Sequence, residues 1–185
     1  CLDHPGKGHN VQRGILESNG EYVVFMDADL ATDLKVIEPM IPVLDKYEAQ
    51  IASRYAKGAV ISIRQPFMRR FISKGSRILI KMMFGIKVKD TQCGYKLFRT
   101  DLAKEVAKRQ IIDGFAFDIE YLYFMKLNGY RINEVPCVWT DDDDSTIKSP
   151  LKTSLRFFKE MGKIKRNKKN YKLNPEEIES FKEVN

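Results

Sequence analysis

The chain has 185 residues, 43% of them hydrophobic and 31% charged, which supplies enough apolar material for one globular domain with its own core and excludes a disordered or fibrous chain. Its net charge of +7 is unevenly placed: residues 49–89 hold ten Lys or Arg and no acid, residues 148–172 hold ten more with Glu160 as the sole acid, and the remainder carries about −12. No apolar run nears the ~20 residues needed to cross a bilayer, the N-terminus lacks a signal-peptide layout, and Cys1, Cys93 and Cys137 are too scattered for a disulfide framework or zinc site, which points to free thiols in the reducing cytoplasm.

In chain order, Gly6, Lys7 and Gly8 form a Gly-rich loop feeding a helix that stops near Gly20, and EYVVFMD follows as an apolar run suited to a buried strand ending on Asp27. A helix is expected over much of 34–47, irregular at its start because of Pro39 and Pro42, with AQIAS as the next short strand. A basic helix is expected over about 66–84 and further helices near 101–109 and over 118–128, the latter capped by Asp118 and stopped by Gly129, before the strand RINEVPCVW. Leu151, Leu155, Phe158, Met161 and Ile164 recur at helical spacing, so 150–166 reads as an amphipathic helix. The alternation of β-rich runs with helical periods predicts an α/β fold, with 1–147 as the main domain and 148–185 as a basic helical extension. The chain begins without methionine and almost at once with the Gly-rich loop, where most α/β nucleotide-binding folds have already supplied a strand, a helix and another strand; on this reading its N-terminal strands are missing.

Two acid-poor basic blocks are either solvated faces or docking sites for an anion: nucleic acid, an anionic membrane or a phosphorylated substrate. Phe67, Phe71 and Phe84 are spaced for the apolar side of a helix rather than for a base-stacking platform, so nucleic acid is not expected, and a non-enzymatic basic membrane- or nucleic-acid-binding module stands only as an alternative to an enzyme.

Asp27-Ala28-Asp29 closes the EYVVFMD strand, at the strand end where ligands of open α/β sheets bind. Two carboxylates one residue apart can share a hard divalent cation that neutralises a diphosphate leaving group, although Asp after a strand is also ordinary turn chemistry. The same stretch could open a haloacid-dehalogenase-type phosphatase, with Asp27 as nucleophile, Asp29 as acid/base and Asp141 to Asp144 as a further acidic group. Against this, that family starts its core at the DxD strand and places Gly-Thr where this chain has Leu30-Ala31.

Read together and in order, GKGHNV, EYVVFMDADLATDL, the ASR of 52–54, RRFISKGSR, DTQCGYKLF, GFAFDIEYL and RINEVPCVW resemble the dolichyl-phosphate glucosyltransferases and, more broadly, the dolichyl-phosphate mannose synthases of glycosyltransferase family two. The resemblance runs from about Gly6 to Ser145. It implies a GT-A (Rossmann-like) mixed sheet flanked by helices, a nucleotide-sugar donor, Mg2+ or Mn2+, a polyprenyl-phosphate acceptor and inversion at the anomeric carbon, on the cytoplasmic face of a membrane. Asp27 and Asp29 match the family's metal and donor motif, with Ala31 where the mannose synthases tend to have glutamine, and Lys7 is a further donor-diphosphate candidate. The DTQCGYK form resembles the glucose branch and favours UDP-glucose over GDP-mannose. Arg54, Arg69 and Ser73 match the positions that hold the acceptor phosphate. Catalytic work is implied for Asp90, Arg69 and Arg54, with Asp90 equally able to serve as an ion-pair partner that orients Arg54 or Arg69; Asp118 and Glu120 match family positions but equally suit a helix N-terminus. Arg70, Lys74, Arg77 and Lys81 read as solubilising or headgroup-contacting charges. The family's Ser-Lys after the last strand is Ser145-Thr146 here. His4 and His9 read as incidental.

Overall fold

The computed structural model describes residues 6–62, 67–140 and 150–182. In chain order its elements are α1 (Lys7–Glu17), β1 (Tyr22–Met26), 3₁₀ turns at Leu34–Ile37 and Ile41–Lys46, β2 (Ala49–Ser53), β3 (Val60–Ile61), α2 (Phe67–Phe84), β4 (Tyr95–Arg99), α3 (Thr100–Arg109), α4 (Phe117–Leu127), β5 (Ile132–Pro136), β6 (Val138–Trp139), α5 (Pro150–Arg166), α6 (Lys168–Tyr171) and α7 (Pro175–Lys182). They fall into two compact units, one made of Cys1–Val23, Phe98–Tyr130 and Thr146–Asn185, the other of Val24–Leu97 and Arg131–Ser145.

The second unit carries the chemistry-bearing strand ends. The larger sheet has the order β1-β4-β2-β5. β2 runs parallel to β5 in a register from Ala49 opposite Ile132 to Ser53 opposite Pro136. Every residue of β2 and β4 is buried, as expected of interior strands covered on both faces. The predicted strand over 131–139 is two strands. The chain breaks at Cys137, whose N–H goes to Ser53 O, and β6 then pairs with β3 in a separate small parallel sheet. The helix expected over 34–47 is replaced by the two 3₁₀ turns: Asp33 caps the first by accepting from Lys35 N at 2.9 Å, and the second is kinked at Val43 (φ −126°) next to Pro42. Proline's missing N–H and ring clash leave no continuous α ladder there.

In the first unit, α4 is buried along its length from Phe117 to Met125. Burial on every side makes it a core helix, and the mostly apolar side chains of the GFAFDIEYL run fit that place. The expectation that Asp118 caps it is incorrect. Ala116 is the N-cap without a side-chain hydrogen bond, and Asp118 is buried inside the first turn. Gly129 does end the helix, at φ +78°, where a side chain would be strained. The apolar positions of α5 do not form a single face. Met161 and Ile164 are fully buried, with Phe157 nearly so, whereas Leu155 and Phe158 are 62% and 43% exposed. Glu160, the lone acid of the C-terminal basic block, is turned inward, where it accepts from Ala116 N at 3.3 Å and from Arg156 Nε at 2.8 Å.

The expected Gly-rich loop is already helix. α1 begins at Lys7, and Gly6 and Gly8 are there for close packing: a Cβ at Gly6 would lie 2.3 Å from Asp113 O, and one at Gly8 would lie 2.5 Å from Ile112 O.

Candidate active site

Asp27 and Asp29 sit on the turn that ends β1, because the apolar strand stops where its ladder runs out and a polar turn begins. Asp27 N donates to Gly94 O at 2.8 Å, which ties the turn to the loop before β4. Asp29 is exposed, and its Oδ1 accepts from Ala31 N at 3.0 Å. Leu30, inside that small loop, takes φ +55°, the single non-glycine with positive φ among the described residues. A leucine in that region costs on the order of 1 kcal/mol or more, a local strain that the surrounding contacts must hold.

Arg54 follows β2 directly and meets Asp90 in a two-pronged ion pair. Arg54 Nε donates to Asp90 Oδ2 at 2.8 Å, Nη2 donates to Oδ1 at 2.9 Å, and the Arg54 backbone N–H adds a third bond to Oδ2 at 3.0 Å. The Asp90 side chain is 1% exposed and that of Arg54 is 19% exposed. Burial works to raise the Asp90 carboxyl, but the hydrogen bonds and charge of Arg54 outweigh it and hold the group below the usual carboxylate range. Glu134 on β5 fixes the segment from behind by accepting from Lys89 N and Asp90 N at 2.8 and 2.9 Å.

These two places are linked through a short ring of contacts. Thr32 bridges Trp139, Thr140 N donates to Ala31 O at 2.8 Å, and the Arg54 guanidinium lies 5.3 Å from the Trp139 ring centroid. From Asp90 the loop runs on through Cys93 to Gly94 and so back to Asp27. The DxD turn and the Arg54 fork therefore belong to one neighbourhood built from β1, β2, β6 and the loop before β4.

Arg77, read from sequence as a solubilising or headgroup-contacting charge, is half-buried. Its guanidinium lies 3.5 Å from the Tyr55 ring centroid, and its Nε donates to Ser73 O at 3.4 Å. Tyr55 also lies 5.6 Å from Arg54, so one aromatic ring joins both arginines. Helical spacing carried a signal for it, since 69, 73 and 77 are successive i+4 positions. Ser73 is half-buried on α2; the Arg69 side chain lies outside the described residues, as do Arg70, His4, Asp141 to Asp144, Ser145 and Thr146.

Lys96 gives no signal in the sequence pattern. Its side chain is fully buried, donates to Cys93 O and lies 5.5 Å from the Phe25 ring. Cys93 and Cys137, 44 positions apart, are neighbours: the Cys137 thiol hydrogen bonds to the Cys93 sulfur and, against the opposing effect of burial, lowers the Cys93 thiol. Cys137, as the donor, is pushed up.

Lys7 lies in the first unit, in the first turn of α1, 5.8 Å from the Phe117 ring. The neighbouring Gly8 and His9 N–H groups both point at Asp113 O, at 2.9 and 3.3 Å, and so are committed within the protein. Glu120 is in the same unit. It accepts from Ile111 N at 2.8 Å, from Ile112 N at 3.2 Å and from the Tyr171 hydroxyl, a post that pins the 111–112 loop and the C-terminal segment to α4. Burial pushes its carboxyl up to about 7, and its hydrogen bonds only partly offset this. An acid whose folded pKa exceeds its unfolded value contributes stability that is complete below about 4.5 and is lost as pH rises through about 7. Thermal melts should therefore show wild type losing stability between pH 5 and 8 relative to Glu120→Gln, by up to a few kcal/mol. Parallel pH profiles for the two proteins would contradict this.

Among the described residues no group of three or more His, Cys, Asp or Glu is placed to hold a metal ion by itself. Among the described residues the donor set at this strand end is two carboxylates on one turn, Asp27 and Asp29. Such a set fits a hard cation whose remaining positions are filled by phosphate oxygens and water, and it does not fit zinc or a closed all-protein cage.

Residues 2–107 match the family described as glycosyl transferase family 2. A dolichyl-phosphate beta-glucosyltransferase of Dictyostelium discoideum is 32% identical over 86% of this chain and 50% of its own length. One from Trichomonas vaginalis is 33% identical over 77% of this chain and 44% of its own, and one from Saccharomyces cerevisiae is 30% identical over 76% and 46%. The chain thus spans about half the length of the curated relatives it matches. Among solved structures, glucosyl-3-phosphoglycerate synthase from Mycobacterium tuberculosis in complex with uridine diphosphate superposes with a TM-score of 0.63, covering 89% of this chain and 57% of that one at 13% identity, a likeness of fold. The expected GT-A architecture is borne out, and the chain belongs to glycosyl transferase family 2.

Proposed function

We propose that this chain forms part of an enzyme that transfers glucose from UDP-glucose to a polyprenyl phosphate such as dolichyl phosphate, with inversion. The observation that carries the reading is the ordered run of DxD turn, Arg54–Asp90 fork and DTQCGYK loop in one neighbourhood, in a chain whose relatives bear the name dolichyl-phosphate beta-glucosyltransferase. Neither the phosphatase nor a non-enzymatic basic module finds support among those relatives.

On this reading Asp27 and Asp29 would hold Mg2+ or Mn2+, which would supply charge neutralisation for the departing UDP. The acceptor phosphate oxygen attacks the anomeric carbon as the bond from that carbon to the diphosphate breaks on the opposite face. Arg54 spends two guanidinium N–H groups on Asp90 and keeps the others for the acceptor. Because the Arg54–Asp90 pair is neutral as a unit, it orients more than it neutralises. The compensating charge for the acceptor then comes from Arg77 and Arg69, with Ser73 as a hydrogen-bond partner. A phosphate monoester with its second pKa near 6 is mostly ionised at pH 7, so no carboxylate is needed to take a proton.

The test is to incubate the protein with a panel of UDP- and GDP-sugars, a short polyprenyl phosphate and Mg2+ or Mn2+, and to weigh the lipid product. A hexosyl polyprenyl phosphate made from UDP-glucose is expected. Product from GDP-mannose alone would reassign the sugar, and phosphate release without glycolipid would overturn the reading.

Docking at the cytoplasmic face of an anionic membrane belongs to the same proposal. No described helix is long and apolar enough to cross a bilayer. Leu155 and Phe158 nevertheless stand exposed on a lysine-rich α5, and Ile72, Ile78 and Met82 stand exposed on α2. Each basic group near an anionic surface contributes about 1 kcal/mol at low salt. Binding to phosphatidylserine vesicles should weaken as salt rises and fall further in Leu155→Glu/Phe158→Glu; equal, salt-indifferent binding to neutral vesicles would contradict it.

A further inference from the structure

The Asp27 carboxylate lies directly on Gly94. A Cβ built on Gly94 would fall 1.8 Å from Asp27 Oδ2, 2.2 Å from Cγ and 2.9 Å from Oδ1, so the carboxylate fills the space that any side chain at 94 would need. Conformation does not demand glycine here: the described glycines with positive φ are Gly58, Gly85 and Gly129, and Gly94 is not among them. The requirement is one of space. The same residue grips Asp27 from the backbone side, since Gly94 O accepts the Asp27 N–H at 2.8 Å. Its loop is itself anchored on both flanks, by Lys96 Nζ on Cys93 O and by Asp90 in the Arg54 fork, with Gln92 N donating to Asp90 Oδ1 at 3.3 Å.

We propose that Gly94 is a positioning residue for Asp27: its bare Cα is the seat that fixes the direction of the carboxylate at the end of β1. The loop from Asp90 to Lys96 then sets two things together, the fork that aims Arg54 and the seat that aims Asp27. The functional consequence rests on the reading of Asp27 as a ligand of the metal-bound donor diphosphate, while the seating itself does not.

The test compares Gly94→Ala, Asp27→Asn, Asp27→Ala and the double variant Gly94→Ala/Asp27→Ala in the full chain. Metal-free thermal unfolding comes first. Gly94→Ala should lower the midpoint by roughly 5 °C in the wild-type background and by much less once the Asp27 carboxylate is gone. Equal losses in both backgrounds would overturn the seating. Should Gly94→Ala fail to fold, recovery of a folded double variant supports the proposal and its absence defeats it. The second arm is calorimetric binding of UDP with Mn2+. Gly94→Ala and Asp27→Asn should each lose at least tenfold in affinity. Wild-type affinity in Gly94→Ala with loss in Asp27→Asn would reject Gly94 as a positioning residue; wild-type affinity in Asp27→Asn would reject the ligand role of Asp27 and leave the seating to be decided by the melts.

Discussion

Asp29→Asn should lower glucosyl transfer on the order of 10²- to 10³-fold or more while leaving the unfolding midpoint unchanged. The two halves of that expectation have separate origins. Asp29 is exposed, so no core contact is lost, and an asparagine keeps the Oδ1 acceptor that receives Ala31 N at 3.0 Å. The turn with Leu30 at φ +55° should therefore survive. What disappears is one unit of negative charge at the place where the proposed function puts the cation and the leaving diphosphate. Turnover with UDP-glucose and a short polyprenyl phosphate, measured across a Mg2+ or Mn2+ titration, checks it. Metal-dependent turnover near the wild-type level would remove Asp29 from the site.

Removing one member of the Arg54–Asp90 pair should cost both stability and activity. Arg54→Ala leaves a carboxylate that is 1% exposed without its guanidinium, a situation that typically costs about 3–5 kcal/mol. Asp90→Asn is also damaging, because Oδ2 receives two Arg54 N–H groups and Oδ1 receives Arg54 Nη2 and Gln92 N, so an amide must turn a donor towards donors. Arg54→Lys separates charge from geometry: it keeps the positive charge, loses the fork, and should reduce turnover far more than stability. The sign of the pH effect follows from the depressed Asp90 carboxyl. Its contribution to stability is complete above the unfolded carboxylate pKa and is lost only as pH falls through the lower folded value. Asp90 itself should therefore add no step to the rate profile above about pH 5, where the acceptor phosphate ionises near pH 6. Rescue of an Asp90 variant by added formate would identify it as a base and point to a hydroxyl acceptor instead.

Much of this site was legible in the chain because it is written in short range. An apolar run that stops on an aspartate names a strand end, and the i+4 spacing of Arg69 and Ser73 names one helix face. The errors were also local. Gly6 and Gly8 looked like part of a loop, yet glycine serves close packing as readily as turns, and only their approach to Ile112 O and Asp113 O tells the two uses apart. Asp118 looked like a cap because acids favour helix starts, but a helix buried all round begins where the core allows, at Phe117.

By itself, then, the amino-acid sequence determined the α/β alternation, the strand that presents Asp27 and Asp29, and the family motifs, since these depend on propensity, periodicity and residues a few positions apart. Tertiary structure alone decided which of the two candidate arginines, Arg54, would take Asp90, 36 positions on, that Arg77 would stack on Tyr55, that Cys93 and Cys137 would adjoin, and that the space above Gly94 would be filled by Asp27. The sheet order β1-β4-β2-β5 is the reason, because it lays the loop before β4 between the ends of β1 and β2, and no local pattern encodes which distant strand becomes a neighbour.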